Sequence, residues 1–318
     1  MKILADPEMF HLLVGVFALL CLASLVGIIL EKIIKAPEKK DMVSNLNARI
    51  KAWWVMCFVF TGALLTGGVG SVILFAFVSF LALREFITLT PTKRADHRAL
   101  FWAFFVILPF QYIFVGIKWY GMFSIFIPVY AFIFLPIRIV LGGDFEGFLE
   151  RTAKIQWGLM VCVYCISHVP SLLNLTITGY EGQNAKLLFY LVFVVQLSDV
   201  LQYIFGRLFG RHKIAPHMSP NKTVEGFAGG VVAATLLGTA LWRLTPFSVW
   251  QAMAFSLLIT VTGFFGGLIM SAIKRDRGLK DYGTMIPGHG GMLDRIDSLC
   301  FSAPLFFHLL RYFFAIWD

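Results

Sequence analysis

An all-α, polytopic membrane helix bundle is the fold class this sequence predicts, and three observations predict it. Of its 318 residues 58% are hydrophobic and only 14% charged, with 33 Phe among them. An ordinary soluble domain carries about 25% charged and 45–50% apolar residues. The apolar residues fall into ten runs near the length of a bilayer span, and Lys and Arg fall almost wholly into alternate connections between those runs. A soluble enzyme, a disordered chain and a disulfide scaffold are excluded together.

A spanning helix needs about 20 apolar residues, because roughly 30 Å of hydrocarbon is crossed at about 1.5 Å per residue. The candidate spans are 9–30, 52–66, 69–89, 99–117, 119–141, 155–174, 186–206, 224–243, 248–270 and 298–316. The first has a long apolar stretch followed, not preceded, by basic residues, so it reads as a retained anchor and not a cleaved signal peptide. The second is short, and without it the count is nine. It meets the third at Gly67-Gly68, which predicts a tight hairpin, since one helix through both would overshoot the bilayer. Residues 1–48 read as an anchor helix with a basic linker, and 49–318 as the multi-span domain.

The net charge of +9 follows the spans. Segments 31–51, 90–98, 142–154, 207–223 and 271–297 together hold twenty Lys and Arg, against three (Lys2, Lys118 and Lys186) on the other side. By the positive-inside rule the basic segments face the cytoplasm and, with ten spans, both termini face away. The charge thus orients helices over an anionic leaflet, and no nucleic-acid partner is needed to explain it. Segments 31–51, 90–98 and 142–154 read as ordinary connectors. Cys162 and Cys165 have redox-motif spacing but lie in an apolar helix without an activating charge, and read as inert buried thiols.

Two segments concentrate the remaining polar chemistry. In the first, Asp199 lies inside an apolar span, where an ionisable group is a functional candidate unless a neighbouring arginine pairs with it. Asp199, Tyr203, Gly206 and Arg207 share one helical face. Ser219-Pro220 then reads as a helix start, with serine as N-cap and proline at the first position. Lys222 would fall in the first turn, and Ser219, Lys222, Thr223 and free N–H groups would cradle a phosphate. The glycine pairs Gly226/Gly230 and Gly263/Gly267 read as close helix packing.

The second segment, 271–297, puts nine of the chain's charges into 27 residues. Ser271, Lys274 and Arg275 share a helical face and suit a polyphosphate. Lys280 and Asp281 follow, then the turn Pro287-Gly288-His289-Gly290-Gly291, where backbone can approach a ligand, then Asp294, Arg295 and Asp297. Carboxylates beside clustered cations suit Mg²⁺ with a nucleotide.

The pattern S-x-x-K-R-x4-K-D-x5-P-G-H-G-G-x2-D-R-x-D over 271–297 resembles the signature of phosphatidate cytidylyltransferases (CDP-diacylglycerol synthases). The patterns D-x3-Y-x2-G-R from Asp199 and S-P-x-K-T-x-E-G-x3-G from Ser219 resemble that family's second motif. The resemblance implies a membrane enzyme, in a bacterial inner membrane or its equivalent, that joins CTP to phosphatidic acid at the cytoplasmic face and releases pyrophosphate. It implies Asp281, Asp294, Asp297 and Asp199 around Mg²⁺, with a second cation compatible. It implies Lys222, Lys274, Arg275 and Lys280 on the CTP phosphates, with Lys274, Arg275, Asp281 and Asp294 at the catalytic centre. Ser219, Thr223, Ser271, His289, Gly290, Gly291, Arg295 and Arg207 complete the substrate-binding set. A homodimer is compatible with the sequence. Many bacterial members carry an aspartate in a G-D-L-x-E-S context where this chain reads Gly266-Gly267-Leu268-Ile269-Met270-Ser271, so one carboxylate of that pattern is absent. A CTP-dependent kinase of polyprenol- or phytol-type alcohols, a catalytically silent homologue and a transporter through Asp199, Arg84, Glu85, Arg138 and Arg243 are the competing readings. Transporters favour midplane sites and repeats, whereas these charges crowd at one interface.

Overall fold

The computed structural model describes residues 6–34, 37–90, 92–286, 288 and 290–316. His289 and Pro287 of the predicted glycine-rich turn lie outside the described residues. Each of the ten predicted spans corresponds to a helix: α1 Pro7–Ile33, α2 Pro37–Leu65, α3 Gly67–Thr88, α4 Arg94–Gly116, α5 Tyr120–Val140, α6 Phe148–Asn174, α7 Asn184–Phe209, α8 Val224–Ala240, α9 Val249–Asp276 and α10 Leu293–Phe314. Among the described residues, eight helices are long and apolar enough to cross a membrane. The exceptions are α8, at 17 residues, and α10, which carries Asp294, Arg295, Asp297 and Arg311. The protein is an integral membrane helix bundle.

The turn between α2 and α3 is a single residue, Thr66, and Gly67 takes the left-handed conformation (φ 79°) that reverses the chain. α2 begins at Pro37, so most of the segment read as a basic linker is helical and extends the α1–α2 hairpin beyond the apolar run. Few residues of α1 are buried. Trp54 donates to Ser24 (3.0 Å) and Asn47 to Glu31 (2.9 Å) to hold α1 on α2, while Lys186 of α7 pairs with Asp6 (2.7 Å) and Glu8 (2.6 Å) at the opposite end.

Segments 90–98 and 142–154 are more than connectors. Arg151, buried at the start of α6, pairs with the equally buried Asp96 (3.0 Å) and with Asp144 (3.1 Å), tying the two together. Cys162 and Cys165 lie unpaired in a π-helical turn of α6.

α7 and α8 approach closely enough that a Cβ on Gly226 would lie 2.8 Å from the Gly206 Cα, and one on Gly230 would lie 2.6 Å from the Gln202 Cα. Glycine is what permits this spacing. Between these helices runs a two-stranded antiparallel ribbon, β1 Lys213–Ala215 and β2 Ser219–Thr223. The predicted helix start at Ser219-Pro220 is therefore wrong. Proline biases its predecessor toward extended backbone and is tolerated on an edge strand, and the cap is supplied four residues later by Thr223, whose hydroxyl accepts from Gly226 N (3.1 Å). Glu225 closes the ribbon by accepting from the backbone N–H groups of Arg211 (2.9 Å) and His212 (3.2 Å).

Candidate active site

The two motif-bearing stretches, remote in sequence, meet at one end of the bundle around two adjoining cavities. The smaller, about 300 Å³, is lined by Asp199 of α7, by Ser219, Asn221, Lys222 and Thr223 of the ribbon, by Gly267 and Ser271 of α9, and by Asp294, Arg295, Asp297 and Ser298 of α10. The larger, about 890 Å³, shares Asp199, Tyr203, Asp294 and Arg295 with it and adds Arg49, Lys280, Asp281, Thr284 and Gly290.

Ser298 joins two of the three acids that line the smaller cavity. Its hydroxyl donates to Asp199 Oδ1 (3.1 Å) and its backbone N–H to Asp297 Oδ1 (2.7 Å). Lys222, in the ribbon and not in a helical first turn, sends its ammonium inward, where it donates to the Phe264 carbonyl (3.3 Å) and lies 4.6 Å from the Phe264 ring centroid. Burial pulls the Lys222 pKa below its ordinary value, with Asp297 and Asp199 opposing the shift. Gly267 belongs to this cluster more than to helix packing. A Cβ there would meet the Lys222 Nζ at 3.0 Å and Ser298 Oγ at 3.4 Å, with Asp297 Oδ2 at 4.0 Å. The ammonium stands where a side chain at position 267 would point.

Lys274 lines neither cavity, whereas Asp294 lines both and is held from the protein side. Both are buried, and Lys274 Nζ donates to Asp294 Oδ1 (2.8 Å). Asp294 Oδ2 accepts from the N–H groups of Tyr282 (2.8 Å) and Gly291 (2.9 Å). The pair thus closes the 277–292 loop between α9 and α10 from inside. Arg275 is turned outward, donating to the carbonyls of Met218 (3.0 Å) and Leu279 (2.7 Å). Arg207 donates to the Tyr203 hydroxyl (3.1 Å) and, like Arg275, lines neither cavity. Ser271 donates back to the Gly267 carbonyl at 2.6 Å. Asp281 and Lys280 are exposed at the mouth of the larger cavity, whereas the Nε of Arg295 is buried without a hydrogen-bond partner among the described residues.

Sequence reasoning placed Glu85 only on a transport path. The structure makes it the anchor of the signature loop: Oε1 accepts from Met292 N and Oε2 from Leu293 N, each at 2.8 Å, at the positive end of α10. Its carboxylate explains one glycine of the turn, because a Cβ on Gly291 would lie 2.4 Å from Glu85 Oε2. The available signal was an acid within an apolar span. Glu85→Gln keeps one acceptor but turns an amide N–H toward a backbone N–H, leaving a buried donor unpaired at a cost of about 1–3 kcal/mol. Hydrogen exchange of a peptide spanning 288–296 is expected to quicken in this variant, with unchanged protection refuting the anchoring role.

Among the described residues, no three His, Cys, Asp or Glu side chains gather as a ready-made metal cage. Two cavity-facing carboxylates, Asp199 and Asp297, nevertheless fit the chemistry of magnesium, which takes one or two carboxylates and completes its octahedron with water and substrate phosphates. Asp294, both of whose oxygens are engaged by protein donors, fits it less well.

Comparison with known proteins shows the family. The model of the cytidylyltransferase family matches residues 47–313. Over 301 residues the chain is 40% identical to the Escherichia coli K12 protein called uncharacterized protein YnbB, covering 94% of this chain and 97% of that one. It is 30% identical over 259 residues to the phosphatidate cytidylyltransferase of Staphylococcus aureus strain COL, covering 79% of this chain and 94% of the relative. It is 37% identical over 159 residues to that of Staphylococcus saprophyticus, covering 48% and 60% respectively. With a matched family model running from the first half of α2 through the ribbon to α10, the chain belongs to the cytidylyltransferase family and is a nucleotidyltransferase.

Proposed function

We propose that the protein transfers the cytidylyl group of CTP to phosphatidic acid, giving CDP-diacylglycerol and pyrophosphate, at the cytoplasmic face of the membrane. The observation that carries this reading is the meeting of Asp199, Lys222, Arg295 and Asp297 on one cavity at the basic end of a membrane bundle. CTP is water-soluble and phosphatidate cannot leave the bilayer, so their reaction belongs at such a boundary. The basic segments support the orientation, because an excess of Lys and Arg in the connections at one end is the pattern of cytoplasmic loops.

The lipid phosphate is already a nucleophile at neutral pH, so no side chain need attack. One of its oxygens forms a bond to the α-phosphorus of CTP while the bond from that phosphorus to the bridging oxygen of the β-phosphate breaks, and pyrophosphate leaves in line. Asp199 and Asp297 would hold Mg²⁺, which when bound supplies positive charge against the phosphate oxygens. Lys222 contributes an ammonium fixed beside them, and Arg295 presents its guanidinium to both cavities. Lys280 lies at the wider mouth, where a polyphosphate entering from water meets it first. Ser219, Thr223 and Ser271 line the narrower cavity, though the hydroxyls of Thr223 and Ser271 are engaged with backbone. The chain's task is positioning and charge compensation for two polyanions.

The test is purified protein in detergent with Mg²⁺, CTP labelled at the γ-phosphate or in the cytosine, and phosphatidate and a polyprenol together. Cytosine label in the lipid phase with γ-label released as pyrophosphate is expected. Release of CDP with γ-label in an alcohol lipid would replace this reading with a lipid kinase.

A further inference from the structure

An apolar slot of about 470 Å³ opens beside the site, walled by α2, α3 and α10 through Trp53, Phe60, Phe75, Val78, Ile296 and Leu299. It adjoins the larger polar cavity: Trp53, Gln196, Ile286 and Arg295 line both. Two cations stand at this junction. Arg295 lines both spaces, with its Nε buried and unpartnered among the described residues. Arg49 lies one helical turn before Trp53 on α2 and donates from Nε to the Gly288 carbonyl (3.0 Å), so the same guanidinium ties α2 to the signature loop.

We propose that this slot holds an acyl chain of the lipid substrate, with the lipid phosphate at Arg49 and Arg295, so that α2 forms a wall of the substrate site. The proposal rests on the reading of the substrate as an anionic diacyl lipid. Depth supports it: the eleven residues from Arg49 to Phe60 rise about 16 Å along α2, about half of the ~30 Å hydrocarbon core. A phosphate at the head of the slot would thus sit at the interface, and a chain below it would end near the bilayer centre, as a lipid in one leaflet does. An apolar compartment with a few convergent polar groups at its mouth is also the usual build of a ligand site. A bilayer lipid merely lying against the protein would use the slot without regard to its headgroup, and that difference decides the test.

Full-length protein in phosphatidylcholine nanodiscs is irradiated with phosphatidate carrying a diazirine near the end of one acyl chain, and the adducts are mapped by mass spectrometry. Adducts are expected on the stretches 55–60 and 74–78, suppressed at least fivefold by unlabelled phosphatidate and not by added phosphatidylcholine. Adducts spread over α1 and α5, or suppressed equally by both lipids, overturn the slot. Leu74→Trp narrows the deep part, because α3 returns from the turn at Thr66 and Leu74 lies nearer that turn than Val78, and its ratio of kcat/KM for dioleoyl over dioctanoyl phosphatidate should fall about fivefold or more, in line with the discrimination a filled apolar pocket gives. An equal loss for both substrates also overturns it. Specific photolabelling without any CDP-lipid product refutes the proposed reaction and leaves the slot standing, whereas product with adducts elsewhere does the reverse.

Discussion

Asp297→Asn is expected to lower kcat for cytidylyl transfer by about 10²–10³-fold, the loss typical when one pre-positioned charge-stabilising group is removed. The substitution preserves shape and the bond from Ser298 N (2.7 Å) but removes the charge of one of the two carboxylates that Ser298 joins at the smaller cavity. Asp199→Asn should behave alike, because the Ser298 hydroxyl holds Asp199 Oδ1 at 3.1 Å in the same cluster. Since the two acids share one task, the double variant should be little worse than either single one. The labelled-lipid assay, run over a Mg²⁺ titration beside thermal melts in detergent, measures this. Fully multiplicative losses would separate the roles of the two acids, and wild-type turnover in a folded Asp297→Asn protein would remove Asp297 from the reaction.

Lys274→Met carries the second large effect, and it is a loss of stability first. The substitution leaves the Asp294 carboxylate buried against two N–H donors with no counter-charge, and Asp294→Asn leaves the Lys274 ammonium equally stranded. Breaking a buried pair from one side costs about 3–5 kcal/mol, whereas replacing both partners with apolar residues can be close to neutral. Thermal melts of Lys274→Met, Asp294→Leu and the double variant form the cycle. The double variant should melt above Asp294→Leu, whose stranded ammonium it removes, yet below wild type and poorly active, because Tyr282 N and Gly291 N lose the acceptor that shapes the loop. A single variant with wild-type melting would show that the pair is not a buried brace.

Hydropathy made the bundle legible. Every predicted span has its helix, and Gly67 marks the hairpin between α2 and α3 where the apolar run alone is ambiguous. The convergence of Asp199, Lys222 and Asp297 was also foreshadowed, since charge that is costly in a membrane must gather where it is compensated. What stayed hidden depends on partners distant in sequence. Nothing local distinguishes Lys274 as an internal ion pair from Lys274 as a phosphate ligand, because Asp294 reaches it only after the loop folds back. Glu85 meets its donors across 207 and 208 residues. Ser219-Pro220 carries the same local signal for a strand as for a helix start, and only pairing of Lys213 with Thr223 decides between them.

The niche beside Gly267 has a bearing on how this pocket meets its surroundings. Two acids there face an ammonium carried on the polypeptide's own backbone ribbon, at the spot a longer residue in α9 would fill. Part of their neutralisation is therefore permanent: it arrives when the chain folds, cannot diffuse away, and does not vary with the ionic content of the medium.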